Sequence, residues 1–220
     1  MSALLAGDSE RKKIIPPNEA AEFLAAMNIP LEDVRSAVWS AHEEALRKSS
    51  WPFPRNAAGL TRWIETVQGI RSSLVDYNSE FWTHDDYKGR PTLVGGGGKY
   101  RVGIIGGNSD TGSLEEDASP QPAQKGPRPT TEQSVNGQMA LISVSSLTVN
   151  DPGDPPEQSW FLIYRAEKDV VKCEFSHPTG MANGKFQDWH TRVILEPIPV
   201  RVSENEEYKG GDENVEFRIS

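Results

Sequence analysis

The sequence predicts an α+β fold, with three N-terminal helices packed on a mostly antiparallel sheet of about five strands and a long disordered insert between the two parts. Three observations carry this prediction. Leu60, Trp63, Ile64, Val67, Ile70 and Leu74 recur at helical spacing, the mark of one buried helix face. Val171, Cys173 and Phe175 alternate with Lys172, Glu174 and Ser176, the period of a strand with one apolar and one polar face. Between these regions, residues 113–137 carry Pro, Ser, Glu, Asp, Gln and Gly with no apolar period.

Residues 1–17 read as a flexible tail, and 18–220 as one α+β domain. Asn18 is placed to cap a helix from Glu19 to about Met27, which Ile29-Pro30 ends. Pro30 then opens a second helix, Leu31 to about Lys48. Its stripe is Leu31, Val34, Val38, Ala41 and Ala45, with acids in the first turn and bases in the last. The third helix runs from Asn56 to near Val75, and its Trp63–Ile64 face is expected on the sheet. Gly59 and Gly69 weaken its intrinsic propensity, so packing must hold it.

The β-rich part centres on the hairpin Ser159–Pro178. Its first arm, Trp160 to Arg165, is apolar on both faces and reads as a central strand. Its second arm, Val170 to Ser176, reads as nearer an edge. Tyr100–Ile105, Met139–Val149 and Trp189–Leu195 read as further strands, with Val200–Ser203 as an extension of the last beyond Pro197 and Pro199 and Val215–Ile219 as a terminal edge strand. Residues 76–99 give no clear period, and residues 204–214 form an acidic loop.

Net charge is -9, which disfavours nucleic acid and anionic membranes without excluding a local basic patch. The basic clusters are short: Arg11-Lys12-Lys13, Arg47-Lys48 and Lys125–Arg128. One cysteine, Cys173, rules out an internal disulfide and a cysteine-built zinc site, and suits a reducing cytoplasm. No apolar run has the length to span a membrane, and the first residues lack the pattern of a signal peptide.

No catalytic or ligand-binding motif stands out. His84, Asp85 and Asp86, with His177 and His190, have the donor chemistry for zinc or manganese, or for acid/base work, but no pair of histidines has a metal-helix interval. Surface histidines and a solvated acidic turn explain the same residues. Asp110-Thr111-Gly112 matches the aspartic-protease triplet, yet it follows polar Asn108-Ser109 and has no second copy, which favours a turn. The glycine runs 95–98 and 106–112 lack phosphate-loop spacing. Cys173 lies on the apolar side of its strand, where an inert thiol is expected. Lys172-Cys173-Glu174 has the reverse order of a nuclease Glu-x-Lys pair.

These readings favour a non-enzymatic intracellular accessory protein that contacts a protein partner through its acidic surface and insert, with no cofactor. The competing expectations are a metal-dependent hydrolase using His84 and Asp86 with His177 and His190, and a nucleic-acid-associated protein using the basic tail, Trp51 and Trp82. The sequence carries no signal of oligomeric state.

Overall fold

The computed structural model describes residues 12–87, 89–123, 159–182 and 184–200. Expected strands at 139–149 and 215–219, the acidic loop 204–214 and insert residues 124–137 lie outside them.

Strand β1 (Lys13–Ile15) precedes helix α1 (Pro17–Ala25), α2 (Leu31–Arg47) and α3 (Ala57–Tyr77). Then come β2 (Trp82–Tyr87), β3 (Arg90–Gly95), a short 3-10 turn (Gly96–Gly98) and β4 (Tyr100–Gly106). The hairpin β5 (Ser159–Ala166) and β6 (Val170–Pro178) follows. Last are β7 (Met181–Ala182), β8 (Lys185–Phe186), β9 (Trp189–Ile194) and β10 (Ile198–Pro199). The main sheet has eight strands, in the order β1-β9-β6-β5-β4-β3-β2 with β10 also on β6. Pairings β1–β9 and β4–β5 are parallel, and the others antiparallel.

The sheet is larger than the sequence predicts, for two reasons. Residues 13–15, assigned to the tail, add to β9 as an edge strand. The unassigned stretch 76–99 contains the hairpin β2–β3, whose polar Thr83, His84, Asp85 and Asp86 conceal the strand period at a sheet edge. Among the described residues β6 is also no edge: β5 flanks it on one side, β9 and β10 on the other.

The helices cover one face of this sheet. Pro17 opens α1, where its missing N–H is no loss. Asn28 ends the turn after it with φ of 57°, and the Ile29 N–H reaches the Leu24 carbonyl at 3.0 Å. On α3 the buried side chains are Thr61, Thr66, Val67, Ile70 and Leu74. The sheet-facing side is therefore rotated from the expected one. Trp63 packs on the core and donates its indole N–H to the Ile104 carbonyl at 3.2 Å, whereas Leu60 and Ile64 face outward. Gly69 lets α2 and α3 approach, since a Cβ there would lie 2.9 Å from the Ala37 Cβ.

Val102, Ile104, Leu162, Tyr164, Val171, Cys173, Phe175 and Val193 form the sheet side of this core. The opposite face has a smaller cluster, Phe161, Ile163, Phe186 and Trp189. Beside it, residues 107–123 fold across the sheet. Residues 113–123, read as the start of a mobile insert, are held by specific bonds: Lys12 Nζ donates to the Glu116 and Ala118 carbonyls, and the Gln121 amide pairs with both backbone groups of Phe186. None of the described helices is long and apolar enough to cross a membrane.

Candidate functional site

The structure separates the residues that the sequence put forward as metal ligands. His84, Asp85 and Asp86 lie on β2, one end of the sheet; His177 and His190 belong to β6 and β9 near the other. β2 and β9 stand five strand spacings apart in the sheet order, about 24 Å. That distance is far beyond a shared ligand shell, in which each donor lies about 2 Å from the metal. Among the described residues no three His, Cys, Asp or Glu side chains gather closely enough to hold a metal ion.

Each β2 residue has a local partner. Asp85 pairs with Arg101, which holds its carboxyl below the usual carboxylate range, and Asp86 lies 3.3 Å from Arg71 Nη1. His84 Nε2 is 3.4 Å from the Arg71 carbonyl. Cys173 is buried on the core face, and burial pushes its thiol up to about 12, which suppresses the nucleophilic thiolate.

His177 and His190 do come together, with ring centroids 5.2 Å apart. A register shift in β6–β9 brings this about: His177 opposes Thr191 while Pro178 opposes Trp189, so His190 is the extra residue of a bulge. Residue pattern alone does not show this bulge, because strict alternation would send His190 to the other face.

Sequence reasoning also missed the strongest polar cluster. The strand alternation places Glu174 on the polar face with Lys172 and Ser176. Instead Lys172 pairs with Glu167 at 3.1 Å, and Glu174 is fully buried with Arg192. Glu174 Oε1 accepts from Ser176 Oγ at 2.7 Å and Arg192 Nε at 3.1 Å; Oε2 accepts from the Gly112 N–H at 2.7 Å and Arg192 Nη2 at 2.6 Å. The carboxylate is saturated. Asp110 does not face it as a second acid: its Oδ2 accepts the Ser119 N–H, and its carbonyl takes the Ser113 N–H. Asp110-Thr111-Gly112 is thus a turn that the Glu174–Arg192 pair anchors to the sheet.

A further polar pair, buried His42 and half-buried Arg62, joins helices α2 and α3. Arg62 Nε donates to His42 Nδ1 at 3.2 Å, and His42 is almost inaccessible. Burial, then the neighbouring guanidinium, hold this imidazole below its ordinary value. His177 is lowered too, chiefly by burial. The folded state therefore disfavours the protonated forms. Their contribution to stability is fully present above the unfolded value of about 6.5 and is lost as pH falls through the lower folded values. Urea midpoints are expected to decline as pH falls below about 6.5. His42→Gln keeps an acceptor for Arg62 and should decline less; an unchanged profile would exclude His42 as a source.

The outer surface of the α2–α3 hairpin carries most of the exposed large apolar side chains among the described residues. Trp51 is 92% exposed, and Leu46, Phe53, Leu60 and Ile64 are also exposed. The cations of this stretch are largely engaged within the chain: Arg47 and Lys48 pair with Glu44, and Arg62 bonds to His42. Ile64 also lines a shallow groove of ≈ 400 Å³ with Trp63, Val67, Gln68, Arg71 and His84.

Comparison of the chain with protein-family models, curated proteins and solved structures gives no match.

Proposed function

We propose that the chain is a non-enzymatic accessory protein of the reducing cell interior that binds an apolar protein segment on the tip of its α2–α3 hairpin. The single observation that carries this reading is the surface of residues 46–64. There Trp51, Phe53, Leu60 and Ile64 are exposed. Exposed aromatic and aliphatic side chains in a local group are the usual anchors of protein interfaces. The polar groups that could do acid/base chemistry are engaged elsewhere: Glu174 with Arg192, Asp85 with Arg101, Asp86 with Arg71.

This reading moves the contact surface from the acidic stretches to an apolar tip. It is tested by affinity capture from the native host with wild type, the double variant Trp51→Ala/Ile64→Ser, and a Glu196→Ala control on a different exposed segment. A partner retained by wild type and control and lost from the double variant is the expected result. Equal capture by all three contradicts it, and so does salt-dependent retention of nucleic acid in place of protein.

A further inference from the structure

Independently of the partner reading, we propose that the Arg62 guanidinium, with the Tyr164 hydroxyl beside it, is a receptor for a carboxylate group. The arginines that are not fully exposed set Arg62 apart. Arg35 pairs with Glu32, Arg71 with Asp86, Arg101 with Asp85, Arg165 with Glu167 and Arg192 with Glu174. Arg62 is half-buried like most of these, yet among the described residues no carboxylate oxygen lies within 4.0 Å of it. Glu65, less than one turn further along α3, is among those out of reach.

The place of Arg62 is nevertheless built. Its Nε donates to His42 Nδ1 at 3.2 Å. A ring nitrogen that accepts carries no proton, so this partner is neutral and leaves the positive charge uncompensated. His42 is 2% exposed, its Nε2 has no partner, and its ring stacks on Trp39 with centroids 6.1 Å apart. A buried imidazole with one orphaned nitrogen is costly to keep. The one bond it makes fixes the guanidinium on α3. That bond uses a single N–H of the five that arginine carries. Nη1 and Nη2 bond to no described residue and are not closed off from solvent, so the outer fork is open to a ligand.

Tyr164, on the helix-facing side of β5, adds a third group. Burial pushes its hydroxyl up to about 12, against the pull of the Arg62 charge, so the phenol stays protonated and can donate. Burial also disfavours the charge on Arg62, and an anion would restore the balance. A planar fork matches the two oxygens of a carboxylate. A phosphate dianion calls for further cations or a nest of N–H groups, and no second cation acts on Arg62 among the described residues.

NMR of the full chain at neutral pH and constant ionic strength tests this, following the Arg62 Nε–H and the backbone amides of residues 60–64. The probes are acetate and a capped Leu-Glu-Leu peptide. The expected result is a saturable shift with each probe and none with chloride. Arg62→Lys keeps the charge but loses the fork, and should weaken acetate binding by about tenfold or more. Arg55→Gln removes an exposed cation of the same stretch and should leave binding unchanged. Circular dichroism checks that each variant is folded. A peptide that binds more tightly than acetate assigns the site to a carboxylate on a protein segment; equal affinity assigns it to a free carboxylate. No saturable shift in wild type, equal binding by Arg62→Lys, or preference for inorganic phosphate over acetate would overturn the proposal, and none of these outcomes bears on capture by the apolar tip.

Discussion

Arg192→Met is expected to destabilise the protein by about 3–5 kcal/mol, measured as a shift of the urea unfolding midpoint at neutral pH. The substitution leaves the Glu174 carboxylate with no solvent access and without its bonded guanidinium. A buried ion pair adds little relative to well-packed apolar residues, but breaking one strands a charge. The effect extends beyond the pair. The Gly112 N–H is bonded to the same carboxylate, and Arg192 Nη2 lies 3.5 Å from the Asp110 carbonyl. Amide exchange across residues 107–123 should therefore accelerate along with the global loss. A variant within about 1 kcal/mol of wild type would show that the pair behaves like a solvated surface bridge.

Trp82→Ala is expected to cost about 3–5 kcal/mol, the range for removing a large aromatic side chain from a core. Trp82 is completely buried on the first residue of β2, and its ring occupies the space against Gly95 on β3, where an added Cβ would lie 2.6 Å from it. Its indole N–H donates to the Asn28 carbonyl at 2.8 Å, which ties the sheet edge to the turn between α1 and α2. Trp82→Phe should recover most of the packing and still lose the hydrogen bond, placing it about 1–3 kcal/mol below wild type. Thermal or urea unfolding of both variants checks the order; equal stability of Phe and Trp at this position would show that the bond to Asn28 contributes nothing.

What could be read from the sequence depended on whether a residue's neighbours were local. Helix α2 was legible to within a residue of its observed end, because its stripe and terminal charges agree. The hairpin β5–β6 was legible because its two arms pair with each other across a short charged turn, closed by the Glu167 N–H to the Val170 carbonyl at 2.8 Å. The hairpin β2–β3 was not, since edge strands tolerate charged side chains and Asp85 and Asp86 find their cations on β4 and α3.

Long-range cover explains the remaining misreadings. Lys172, Glu174 and Ser176 have the alternation of a wet strand face. Glu174 and Ser176 become dry because residues 107–123 arrive from sixty positions upstream and cover them with backbone groups, without an apolar period to announce it. The His177–His190 pair depended on one inserted bulge residue, which sequence alternation cannot show. Separation of His84 and Asp86 from that pair depended on strand order, which local pattern does not encode.

The proposal that the α2–α3 tip is the contact surface is tested most directly by site-specific photocrosslinking in the native host. A photoreactive side chain replaces Trp51 in one strain, Ile64 in a second, and Glu196 in a third. The account predicts the same discrete protein adduct from positions 51 and 64 and none from 196. Adducts of equal yield from all three positions, or from 196 alone, would contradict it.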